Sequence, residues 1–241
     1  MTRKNALMLT VAAGLLALGP ATFSFDAHAQ EQKPTVKIPE AGVPQVMTIE
    51  GLFIRAAYNN EGYVILGYRT PNMSVGDEWM LIEMGTTVRD GVPNYKLTRD
   101  AVSLDTPDGK KLPLATVDEY RGANLAALNN RAKVAHDSIN YFPPSASQAC
   151  RIGFFSDLSG PALPWDQVEL SQSRACLGRL YFKVPGGIQY GQHWLNVKFA
   201  NSVVRVPFRI FTKEEEKTAD KNYKDIRKQV QEAFKPPKKK T

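Results

Sequence analysis

Histidine, cysteine and long apolar runs are all scarce in this chain, and each shortage removes a class of function. Of three histidines, His28 falls in the first 29 residues, which leaves His136 and His193. Two isolated histidines and two cysteines, Cys150 and Cys176, have neither His-pair nor C-x-x-C spacing, so they form no recognisable zinc site or dithiol redox motif. G-x-S-x-G and a glycine-rich phosphate loop are both missing. The apolar run Ala6 to Leu18 is shorter than the roughly 20 residues that cross a bilayer, and no other stretch is long enough. Excess charge is also lacking in the body: residues 30–212 hold nineteen Lys or Arg against seventeen Asp or Glu. That balance argues against nucleic acid as a partner. No cofactor is expected.

What is present begins with an export signal. Arg3 and Lys4 precede the apolar run, and Ala27-His28-Ala29 forms a small-residue cleavage pattern before Gln30. Residues 1–29 therefore read as a signal peptide, and the mature chain is expected in the periplasm or outside the cell after cleavage near Ala29. Residues 30–45 carry Pro34, Pro39 and Pro44 and read as a flexible leader. Both cysteines lie in the exported part, where an even count reads as one disulfide, Cys150 to Cys176. On the loop-entropy model such a bridge is worth roughly 3 kcal/mol. Two unpaired buried thiols are the alternative.

Residues 46–211 carry the strand signals. In Leu177 to Phe211, apolar side chains alternate on three runs: Leu180, Phe182 and Val184; Leu195, Val197 and Phe199; Val204, Val206, Phe208 and Ile210. Tyr181, Lys183, Asn196, Lys198, Arg205 and Arg209 take the opposite parity and are expected on a wet face. Pro185-Gly186-Gly187 closes the first run and Asn201-Ser202 separates the other two, which predicts a final antiparallel hairpin. Upstream, Asn59 to Gly62 links Met47–Tyr58 to Tyr63–Tyr68, and Glu78–Val88 reads as a strand partly covered on both faces. Asp105-Thr106-Pro107-Asp108-Gly109 is a turn between Ala101–Leu104 and Lys111–Ala115, without the further ligands of a calcium loop. Cys150–Phe155 and Trp165–Leu170 are two more strand candidates.

Helical periodicity appears twice. Thr116 and Glu119 form a capping box ahead of Leu125, Leu128, Ala132 and Ala135, so a short helical insert interrupted at Gly122 is expected. Thr212 and Glu215 repeat the box ahead of Ala219, Tyr223, Ile226, Val230 and Ala233, spaced four, three, four, three. Residues 212–234 should form an amphipathic helix, followed by a basic tail, 235–241. A stripe this narrow needs cover. Ala219, Tyr223, Ile226 and Val230 are thus candidate contacts for a partner, with docking on the chain's own domain or a solvated helix as the other readings.

Candidate chemistry is thin. His136-Asp137-Ser138 names the residue types of a hydrolase triad, but neighbours on one backbone point apart. His193 is in phase with Leu195 and Val197 and reads as a strand histidine. Met80 and Met84 share a face with Ile82, as core methionines do, so a copper site including Met73 is disfavoured. Trp79, Trp165, Tyr190 and Trp194 could stack on sugar, and Trp194, out of phase with the core of its strand, is expected to be exposed.

The segment Gly178 to Pro185, Gly-x-Leu-Tyr-Phe-x-Val-Pro, and the final hairpin ending in VVRVPFRI resemble the closing half of an immunoglobulin-like β-sandwich in uncharacterised exported bacterial proteins. The strand ending in Asp105-x-x-Asp108-Gly109 is similar too, whereas the helical insert and the cysteine pair depart from that pattern. The resemblance implies an immunoglobulin-like antiparallel β-sandwich with a binding or assembly role and no transferred catalytic residue, and with the helical periodicity it makes the expected fold mainly β, with a short helical insert and a C-terminal amphipathic helix. The expected function is a non-catalytic exported binding module with an envelope protein as partner, its basic tail attracted to anionic surfaces. An envelope hydrolase or carbohydrate-binding protein is the alternative.

Overall fold

Period-two runs become strands wherever the expected turns allow them to pair. The computed structural model of the chain describes residues 45–156 and 163–233, with backbone alone for 230–233. The signal segment, nearly all of the leader, Phe234 and the basic tail fall outside the described residues. In chain order come β1 (Val46–Gly51), β2 (Ile54–Tyr58), β3 (Gly62–Gly67), α1 (Arg69–Asn72), β4 (Trp79–Val88), β5 (Tyr95–Thr98), β6 (Val102–Asp105) and β7 (Lys111–Pro113). Next are α2 (Val117–Gly122), α3 (Ala126–Val134), β8 (Gln148–Arg151), β9 (Gln167–Leu170), β10 (Arg174–Lys183), β11 (Gly191–Lys198), β12 (Val203–Ile210) and α4 (Lys213–Ala233).

The protein is mainly β, with two packed sheets and a C-terminal helix. One sheet has the order β1-β2-β3-β4-β10-β8, the second β12-β11-β6-β7, and β5 pairs with β9 as a small third. The expected final hairpin is the antiparallel pair of β11 and β12, with His193 opposite Phe208 and Val197 opposite Val204. Strands β1 to β4 run as a meander in chain order, a path not specific to immunoglobulin-like sandwiches. Met47–Tyr58, expected as one run, is itself a hairpin, bent at Leu52-Phe53. Pairing is antiparallel except at β8, which lies parallel to β10. There Cys150 and Cys176 are direct ladder partners and form the disulfide. β8 ends at Arg151, short of the expected Phe155, because Phe154 and Phe155 leave the ladder and are buried.

Inner faces follow the predicted parity. Met80, Ile82, Met84, Leu180 and Phe182 from the first sheet share one core with Leu195, Val197, Val204, Val206 and Phe208 from the second. Tyr181 and Asn196, expected on wet faces, are buried. The helical insert explains Tyr181: its hydroxyl donates to Asn129 Oδ1 on α3 (2.7 Å), and its ring lies 4.8 Å from that of Tyr120 on α2. α2 begins with the predicted capping box and ends at Gly122, where the interruption was expected. Further along, Ile139 and Phe142 cover the outer face over Ile54, Ala56, Tyr63 and Ile65. They can approach because β3 and β4 present glycine there: a Cβ on Gly67 would lie 3.0 Å from Ile139, and one on Gly85 2.8 Å from Phe142.

Candidate functional site

Two surfaces outside the core hold groups able to bind something. The first is built by α4, which leaves β12 through the predicted capping box: Glu215 N–H donates to Thr212 Oγ1 (3.2 Å) and Thr212 N–H to Glu215 Oε2 (2.9 Å). Glu214, Glu215 and Glu216 crowd its first turn, where the helix dipole favours negative charge. Arg209 pairs with Glu215, Asn72 donates to Glu216 (3.2 Å) and accepts from Phe211 N–H (2.7 Å), and Tyr223 donates to the Glu50 carbonyl (3.1 Å). The first three turns are therefore tied to the body. Beyond Tyr223 the cover runs out: Ala219 and Tyr223 are half-buried, but Ile226 is 60% exposed. Val230 lies on the helix, its side chain outside the described residues. A groove of about 730 Å³ opens between helix and body, lined among others by Glu50, Leu52, Arg69, Tyr141, Asp220 and Arg227.

The second surface is a cleft of about 390 Å³ on the outer face of the six-stranded sheet. α2 and α3 cover one end of that face, and Ile139 and Phe142 cover the other. Glu83 and Arg179 lie between the two covers as direct partners across β4 and β10. Arg179 Nε stands 3.7 Å from Glu83 Oε1. The Glu83 side chain is 17% exposed, and burial holds its carboxyl above the usual carboxylate range, against the nearby charges of Arg179 and His136.

His136, Asp137 and Ser138 line the same cleft. They do not form a triad. Asp137 accepts from Nε (3.0 Å) and Nη2 (2.8 Å) of Arg69, a fork that fixes its carboxylate away from catalysis, and no hydrogen bond joins the three residues to one another. The arrangement supplies neither an activated nucleophile nor an oriented base.

Two other sequence candidates belong to the core. Trp194, expected on the surface, is 3% exposed, a correction whose cause is Arg205. Arg205 lies over the indole at 5.0 Å and is held there by Asp105 and Asn196, each at 3.0 Å. His193 is fully buried, stacked on Phe208, with Nδ1 3.1 Å from the Gly191 carbonyl and Nε2 without a partner. Burial pushes its pKa down to about 4.

Sequence reasoning missed the Glu83 and Arg179 pair. Each residue sits at an outward parity, but their adjacency depends on β4 pairing with β10 across two sheets' worth of intervening chain. No family model, no curated protein and no solved structure matches the chain.

Proposed function

We propose that this protein is an exported, non-catalytic binding module of the cell envelope, and that α4 is its contact element for a protein partner. The observation that carries this reading is Ile226, a large apolar side chain left open on the free half of a helix whose other half is anchored. An apolar group in that setting gains from cover that the described residues do not provide. The export signal, the disulfide and the resemblance to exported sandwich proteins support the compartment. Lys235 to Lys240 adds a screened attraction toward an anionic partner surface. The hydrolase alternative has less support, because Asp137 is committed to Arg69, and the sugar-platform alternative loses Trp194 to the core.

A photo-crosslinking residue at Arg227 tests the reading in intact envelopes. A discrete protein adduct is expected, weakened by added salt and abolished by Ile226→Asp. Absence of an adduct, or an adduct indifferent to Ile226→Asp, would sink the proposal.

A further inference from the structure

The Glu83 cleft is separate from the contact role of α4 and rests on different observations. Among the described residues, the side chains of Glu83 and Arg179 make no hydrogen bond, although both carry strong hydrogen-bonding groups. Their only mutual contact is the 3.7 Å approach of Nε to Oε1. With its side chain 17% exposed, Glu83 keeps only part of its contact with water, and a guanidinium has five donors to place. Neighbouring side chains do not supply the missing partners: Gly67 beside Glu83 has no side chain, Leu177 is apolar, Asp137 is turned to Arg69, and His136, Ser138 and Asn140, which also line the cleft, make no hydrogen bond to either group.

We propose that this cleft binds a free α-amino acid with an apolar side chain, its ammonium on Glu83 and its carboxylate on Arg179. The two protein charges stand side by side on adjacent strands, so a ligand carrying both signs closes an alternating ring of four charges. A simple anion or cation would satisfy one protein group and face the other with like charge. The guanidinium fork matches a carboxylate geometrically, and the ammonium offers the donors that Glu83 lacks. Leu177, exposed at the cleft wall beside the buried Ile139, provides the apolar shoulder for the side chain. Glu83 and Arg179 lie within strands flanked by paired neighbours, so the site is pre-formed.

Titration calorimetry on the mature protein with leucine, N-acetyl-leucine and leucinamide decides the matter. Leucine should bind, and each blocked analogue, lacking one charge, should bind about tenfold weaker or worse, the weight of a charge-assisted hydrogen bond. Glu83→Gln and Arg179→Gln should each weaken leucine by a similar factor while leaving circular dichroism unchanged. Failure of leucine to bind in the millimolar range would overturn the proposal. So would analogues binding as tightly as leucine, or folded variants binding like the wild type. Should a variant fail to fold, the analogue comparison on the wild-type protein still decides.

Discussion

Replacing His193 with Phe should flatten the acid sensitivity of this fold. His193 is enclosed between the two sheets, stacked on Phe208 at a ring separation of 5.2 Å, and its neutral form is favoured by burial. Its pKa falls from 6.5 to about 4, opposed only in part by the Gly191 carbonyl and the more distant Asp108. Below the unfolded value the denatured chain takes up a proton that the native state refuses until about pH 4. The stability contributed by a neutral His193 is thus complete above pH 6.5 and is lost as the pH falls toward 4. Integrated over that window the loss is about 3 kcal/mol, of which about 2 kcal/mol has gone by pH 5. Carboxylates whose pKa values are depressed, such as Asp108 and Glu215, add their own losses lower on the scale, and Glu83, shifted upward, acts in the opposite direction. Comparing proteins cancels these background contributions. His193→Phe keeps a flat ring against Phe208 and removes both the titrating nitrogen and the unpartnered Nε2. Urea unfolding at pH 7 and pH 5 should show the wild type losing about 2 kcal/mol more than the variant. Equal losses in the two proteins would refute the burial argument.

Arg205→Ala should destabilise the protein by about 2 kcal/mol, because it uncovers Trp194 and strands Asp105 and Asn196; acrylamide quenching of tryptophan fluorescence should rise with it, and an unchanged melting midpoint would contradict the lid assignment. Gly62→Ala places a Cβ 2.1 Å from the Phe199 ring, an overpacking that should cost about 2 kcal/mol or more, whereas Gly122→Ala, with open space around it at the end of α2, should stabilise by about 0.5 kcal/mol; thermal melts check the opposite signs. Reducing Cys150–Cys176, which closes a separation of 26 residues, should remove about 3 kcal/mol, read as a lower unfolding midpoint in denaturant with reductant present.

Local chemistry made much of this fold legible. Alternation along Leu180 to Val184, Leu195 to Phe199 and Val204 to Ile210 identified the inward residues, since a pleated strand with one buried face permits no other phase. Capping boxes at Thr116 and Thr212 marked two helix starts because the signal is complete within four residues. The even cysteine count, in a sequence read as exported, pointed to the bridge.

Facts about the outer faces needed the tertiary structure. Whether Tyr181 is wet depends on an insert whose Asn129 lies 52 residues upstream folding back over β10, and whether Trp194 is exposed depends on an arginine from the next strand lying across it. Period-two patterning states that two faces differ but not what covers each. The parallel placement of β8, the fork from Arg69 that occupies Asp137, and the meeting of Glu83 with Arg179 are likewise consequences of long-range pairing. The sequence by itself determined which side chains line the inner faces of the strands, where helices begin and that the two cysteines bond, because those preferences act between near neighbours along the chain. Tertiary structure alone decided which polar groups are covered, paired or left open at a cleft, because those states depend on contacts between strands far apart in sequence, whose partners no local pattern encodes.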